Sequence, residues 1–212
     1  MTHRTRIKIC GITSYDDAMV AVDAGADAIG FVFVEDTPRW INPDRAVLIM
    51  EKLPPFVTAV AVLRDPTLQW FMDVIDACPT KAVQVHGEAL TSELAQAMSP
   101  GLVRAVRFDV AAIGDDLEHW SNTDGVEMVL VDGSAGGEGT SFDWDALAAV
   151  KDRCSVPMIL AGGLDPDTVG GAVRTVRPFA VDVSSGVEAS PGKKDHEAVQ
   201  RFCDVVRAAD LA

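Results

Sequence analysis

Two kinds of hydrophobic pattern alternate along this chain from end to end. Short apolar runs rich in β-branched residues predict strands at Ile7–Cys10, Ala28–Val34, Thr58–Leu63, Ala82–Val85, Leu102–Arg107, Met128–Asp132, Met158–Ala161 and Ala180–Val183. Between them, apolar residues recur every three or four positions and predict helices at Tyr15–Ala24, Asp44–Lys52, Thr67–Ala77, Thr91–Met98, Trp144–Lys151, Pro166–Val176 and His196–Ala209. A further helix falls somewhere in Ala111–Trp120, where the periodicity is weakest. Local start signals agree with this parse. Ser14 precedes the first helix, Asp65-Pro66-Thr67 opens the third, and Asp165-Pro166 opens the helix after strand 7.

Runs such as Met128-Val129-Leu130-Val131 are apolar on both faces, as in a parallel sheet covered on both sides. Eight strands, each followed by a helix, predict one α/β domain over residues 1–212: a single (β/α)8 barrel of the TIM type, with parallel strands inside and helices outside. An open doubly wound sheet rarely needs eight such units in so short a chain. No linker, low-complexity stretch or charge run divides it. In such a barrel the active site sits where strands end and βα loops begin. The unusual residues lie there: Cys10-Gly11, Glu35 to Arg39, His86-Gly87, Asp132 with the glycines behind it, Gly162-Gly163, and Asp182 to Gly186.

Composition narrows the choice of partner. Hydrophobic residues make up 48% of the 212 positions, enough for a sizeable core. A net charge of −14 argues against nucleic acid and anionic membrane as partners. It also disfavours an anionic substrate at long range, so any phosphate site must be made locally from backbone N–H groups and a few placed cations. No apolar run approaches the ~20 residues that cross a bilayer. Met1 to Arg6 lacks the apolar stretch of a signal peptide. Cys10, Cys78, Cys154 and Cys203 lie far apart with no CxxC pair, which suits free thiols in a reducing compartment, the cytoplasm.

Each candidate residue has a chemical reading and a plainer one. Gly162-Gly163 and Ser184-Ser185-Gly186 are two small-residue turns on neighbouring strands. Their lack of bulk lets backbone N–H groups approach a phosphate, a placement barrels favour; singly, each is a tight turn before a helix. Cys10 is a small buried hydrophobe, or a mouth-facing base whose thiolate is favoured by local positive potential. Asp132 caps its own glycine-rich loop, or is an acid whose pKa a desolvated lip raises. Arg39 makes a surface ion pair with Glu35 or Asp36, or a bidentate clamp on a carboxylate. His86 is structural or touches the ligand, and without a second His or Cys at metal spacing it predicts no metal. Gly136-Gly137-Glu138-Gly139 lacks the lysine and spacing of a nucleotide loop.

Taken together, the segments resemble the phosphoribosylanthranilate isomerase family of tryptophan biosynthesis. The resemblance rests on Lys8-Ile9-Cys10-Gly11-Ile12-Thr13, Gly25 through Phe33 with Pro38-Arg39, and Val83-Gln84-Val85-His86-Gly87. It continues in Asp132 through Trp144, Ala161-Gly162-Gly163-Leu164, and Asp182 through Glu188 with Pro191 through Asp195. These occur in family order over almost the whole chain. The resemblance implies an Amadori rearrangement of N-(5′-phosphoribosyl)anthranilate, a small phosphorylated substrate, without metal or organic cofactor. It implies Asp132 as general acid, Cys10 as general base, Arg39 on the anthranilate carboxylate, Asp182 on the sugar hydroxyls and His86 at the site wall. Gly162, Gly163, Ser184, Ser185 and Gly186 take the phosphate, and other tryptophan-pathway enzymes are the partners to expect. Strand 3 departs from the pattern at Leu63-Arg64-Asp65, where the family has a Gly-Val-Phe-like strand followed by Asn. The alternatives are a histidine-pathway or bifunctional sugar isomerase, with a carboxylate where Cys10 stands, and a binding protein on a barrel that has lost its acid–base groups.

Overall fold

The computed structural model describes residues 4–88, 101–133 and 142–211. Eight parallel strands among them close into a barrel in sequence order: β1 Arg6–Cys10, β2 Ala28–Val32, β3 Thr58–Arg64, β4 Ala82–His86, β5 Gly101–Arg107, β6 Val126–Asp132, β7 Met158–Leu160 and β8 Ala180–Val183. Closure is made by β1 pairing with β8, where Lys8 lies level with Asp182. Helices Tyr15–Asp23, Pro43–Met50, Leu68–Ala77, Ile113–Ser121, Trp144–Val150, Val169–Val176 and His196–Asp210 pack outside. The helix expected at Thr91–Met98 lies outside the described residues.

Although both faces of every strand are buried, the period of two survives in what each face meets. Ile7, Ile9, Ile29, Phe31, Val83, Val85, Val129, Val131 and Leu160 point outward and join the large core under the helices. Val60, Ala82, Val103, Ala105, Leu130, Ile159 and Ala180 point inward and fill the barrel with small side chains. Above that plug, Cys10, Val32 and Val62 form a third cluster just below the mouth.

Caps fix several helix starts. The Ser14 and Thr67 hydroxyls accept from the N–H of Asp17 and Trp70, as expected at those positions. Asn42 caps the second helix, with Pro43 at its first position. Asp165-Pro166 does not open a helix: the Asp165 carboxylate accepts from the N–H of Asp167 and Thr168 at 2.8 Å each, and this turn delays the helix to Val169. Strand β2 ends at Val32, two residues early, and the chain returns so that Trp40 bridges to Val32. A hairpin absent from the sequence pattern follows β8, made of β9 Glu188–Ser190 and β10 Lys193–Lys194. It docks onto the β2 loop at Gly192 (φ +81°), whose missing Cβ would stand 2.1 Å from the Pro38 carbonyl oxygen.

Candidate active site

The C-terminal ends of the strands surround a cavity of about 780 Å3, including its open mouth. Cys10, Arg39, His86, Asp132, Gly162, Gly163, Asp182, Ser184 and Ser185 all line it. The topology thus brings together nine of the ten residues singled out in the sequence. Gly186 stands behind the wall: a Cβ there would fall 1.9 Å from the Leu164 carbonyl oxygen, so the turns after β7 and β8 touch through this glycine. Gly162 and Gly163 hold φ of +81° and +65°, a backbone open to glycine at little cost. Ser184 Oγ is buried, 3.0 Å from where a Cβ would stand at Gly11, with no hydrogen-bond partner among the described residues.

At the floor, Lys8 places its ammonium 2.9 Å from both carboxylate oxygens of Asp182, with both side chains nearly out of water. Burial opposes the Lys8 charge, but Asp182, with Cys10, outweighs it and holds the ammonium above the ordinary lysine range. Cys10, two residues along the same strand, faces the same way. Burial pushes its thiol above the ordinary range, while Lys8, and more weakly Lys194, pull it back down. Asp132, at the end of β6, is buried at 8% exposure. Its Oδ1 would lie 2.8 Å from a Cβ at Gly162, so the glycine turn and this carboxylate press against each other.

Arg39 corrects an expectation. Its ion pair is not with Glu35 or Asp36 but with Glu188, which receives Nε and Nη2 at 2.9 Å each. The stem of Arg39 crosses over Gly11, where a Cβ would stand 2.7 Å from Cδ. Glu188 also receives the fully buried Lys194 ammonium at 2.9 Å, and Lys194 reaches the Ser184 carbonyl at 3.1 Å. Burial pushes the Glu188 carboxyl up, but Arg39 and Lys194 outweigh this and hold it below the usual carboxylate range. Two cations against one carboxylate leave local positive charge at a mouth whose protein carries −14 overall.

His86 meets Gln84 across 2.7 Å, Nε2 to Nε2, and Gln84 Oε1 is buried with no hydrogen-bond partner among the described residues. Burial, then the cations Lys8, Arg64 and Arg104, push the imidazole down to about 3, so it is neutral across the physiological range. Arg64, from the divergent end of β3, is level with His86 and lines the cavity. That divergence therefore reaches the site wall.

Sequence reasoning passed over Lys8, Gln84, Glu188 and Lys194. For Lys8 and Gln84 the signal was present: a long polar residue inside an otherwise apolar strand buried on both faces. Glu188 and Lys194 lie in segments that carry the resemblance, but periodicity gives them no role, because it does not reveal the hairpin that joins them to each other and to Arg39 of the β2 loop.

Fold and mouth together define a (β/α)8-barrel enzyme with its titratable side chains gathered at the C-terminal end of the strands. More particularly, the family model described as N-(5'phosphoribosyl)anthranilate (PRA) isomerase matches residues 7–205, and the chain belongs to that family. A relative from Magnetococcus marinus named N-(5'-phosphoribosyl)anthranilate isomerase is 44% identical over 208 residues, covering 96% of each chain. The crystal structure of phosphoribosyl anthranilate isomerase from Thermotoga maritima is 38% identical, with a TM-score of 0.86 over 96% of this chain and 99% of that one. Another crystal structure of the enzyme, in complex with reduced 1-(o-carboxyphenylamino)-1-deoxyribulose 5-phosphate, is also 38% identical, with a TM-score of 0.85 over the same shares.

Proposed function

We propose that this chain, acting as a single barrel domain, isomerises N-(5′-phosphoribosyl)anthranilate to 1-(2-carboxyphenylamino)-1-deoxy-D-ribulose 5-phosphate in tryptophan biosynthesis. The observation that carries the reading is one cavity lined by a buried thiol, a buried carboxylate, a clamped guanidinium and two contacting small-residue turns, in a chain of this family.

Asp132, as the protonated acid, gives its proton to the ribose ring oxygen while the C1–O bond breaks and the anilino nitrogen's lone pair forms C=N. Cys10, as thiolate, removes the proton from C2, and those electrons form C1=C2 while the iminium nitrogen recovers its pair. The resulting enolamine becomes the ketone as the C2 hydroxyl loses its proton and C1 gains one. The two residues must be in opposite protonation states at once: the carboxyl enters as the acid, and the thiol, whose ionised form Lys8 favours, as the base. Arg39 spends its Nε and Nη2 edge on Glu188 and keeps donors on Nη1 for the anthranilate carboxylate. The N–H groups around Gly162, Gly163, Ser184, Ser185 and Gly186 receive the phosphate, and the Ser184 hydroxyl is at hand for it. Asp182, already holding Lys8, turns its remaining lone pairs to the sugar hydroxyls. Neutral His86 packs at the wall and carries no charge of its own to the reaction.

No helix among the described residues is long and apolar enough to cross a membrane. Membership of this family supports work in the cytoplasm beside the other enzymes of tryptophan synthesis, and the acid–base steps above call on no cofactor. The direct test is turnover of the anthranilate substrate by purified protein, with the histidine-pathway aminoaldose as control. Cys10→Ala is expected to lose turnover while keeping affinity for a product analogue within about tenfold. A variant that keeps more than a tenth of the wild-type kcat removes Cys10 from the role of base.

A further inference from the structure

The proposed mechanism needs Cys10 ionised in a barrel floor where burial opposes it, and the floor holds one cation that the mechanism leaves unused. We propose that Lys8 is the counter-charge of Cys10, a positioning residue brought against the sulfur by the missing side chain of Gly30 and metered by Asp182. The inference rests on the reading of Cys10 as base.

Register is the first observation. Lys8 and Cys10 alternate onto the interior face of β1; Asp182 is level with Lys8 on β8, and Gly30 is level with Cys10 on β2. The second is the space over Gly30. A Cβ built there would stand 2.8 Å from Cys10 Sγ and 3.1 Å from Lys8 Nζ, so both atoms share the volume that a side chain would take. They are therefore at most about 6 Å apart. Gly30 has no positive φ, so it is space rather than backbone conformation that calls for glycine here. Thirdly, Asp182 binds two donor positions of the ammonium, and a lysine has three. The third is the one that can serve the sulfur.

The other charges that face Cys10 do not replace Lys8. Lys194, on β10, is committed to Glu188 and the Ser184 carbonyl. Arg39, across Gly11, is committed to Glu188. His86 on β4 is neutral, Asp132 on β6 enters the reaction protonated, and Asp182 on β8 opposes the thiolate. Asp182 thus acts in both directions: it anchors the lysine near the sulfur and dilutes its charge. Two unit charges about 6 Å apart in a protein interior shift a titration on the order of 2 pH units.

The test is the rate of iodoacetamide alkylation of Cys10 against pH in the ligand-free protein, read by mass spectrometry of its peptide so that Cys78, Cys154 and Cys203 do not interfere. Lys8→Met is expected to move the midpoint to higher pH by about 2 units, and Asp182→Asn to move it to lower pH. Opposite signs separate an ion pair from a damaged floor, because loosening would expose the thiol and move both variants down together. Gly30→Ala, which pushes the two atoms apart, should follow Lys8→Met in direction. An unmoved midpoint in Lys8→Met, or shifts of one sign in Lys8→Met and Asp182→Asn, overturns the proposal. The acid limb of kcat/KM is then compared: at pH 7 Lys8→Met should lose at least tenfold and regain it at alkaline pH. An alkylation midpoint that moves while this limb stays put overturns Cys10 as base and leaves the Lys8–Cys10 pair standing.

Discussion

His86 offers a prediction whose size can be worked from the structure. Its imidazole is pushed from an ordinary 6.5 down to about 3 by burial beside Lys8, Arg64 and Arg104. The unfolded chain therefore takes a proton near pH 6.5 that the folded chain refuses until near pH 3. Stability then rises with pH wherever the unfolded state binds more protons, so this residue's contribution is fully present above pH 6.5 and is lost as pH falls toward 3. Each unit below 6.5 costs at most about 1.4 kcal/mol, so moving from pH 7 to pH 5 costs at most about 2 kcal/mol. One edge of the ring faces the cavity, and water there reduces the figure to about 1–2 kcal/mol. For a chain of this length that is a fall of roughly 2–8 °C in Tm. Other groups also titrate in this window, so the comparison is with His86→Gln, which cannot take the proton. Melts of both proteins at pH 7 and pH 5 isolate the term: the wild type should lose about 1–2 kcal/mol more than the variant on acidification. Equal losses would mean the folded imidazole already accepts a proton in this range, and would refute its burial among cations as the controlling effect.

Other outcomes follow from the same geometry. Asp132→Asn keeps the shape but has no proton to give, so kcat should fall about 10²–10⁴-fold with KM little changed and an unmoved melt; inactivity that tracks a large loss of Tm would point to disrupted folding instead. Arg39→Met should raise KM far more than it lowers kcat, because the guanidinium holds the carboxylate in ground and transition states alike; a static KM would leave Arg39 as no more than a partner for Glu188. Gly186→Ala forces a methyl into the Leu164 carbonyl, where backbone must yield, so KM and the inhibition constant for inorganic phosphate should both rise at least tenfold; unchanged values would take this turn out of the phosphate site.

The sequence by itself determined the order of the eight strands and of the helices described between them, since period two and period 3.6 are properties of consecutive residues. It determined the barrel class too, because eight such units in 212 residues have few other closures. The strand ends stood out for the same local reason: Cys10, His86, Asp132 and Asp182 are polar or reactive residues where apolar runs stop. Tertiary structure decided who meets whom. Glu188 reaches Arg39 from 149 positions away through the β9–β10 hairpin, and Lys8 meets Asp182 only because the barrel closes between β1 and β8. Glycines divide along the same line. The positive φ at Gly162 and Gly163 belongs to a local turn and was readable as one. The needs of Gly30 and Gly186 are for space, set by Cys10, Lys8 and Leu164 arriving from other strands, and no local pattern encodes a neighbour that the fold has yet to bring.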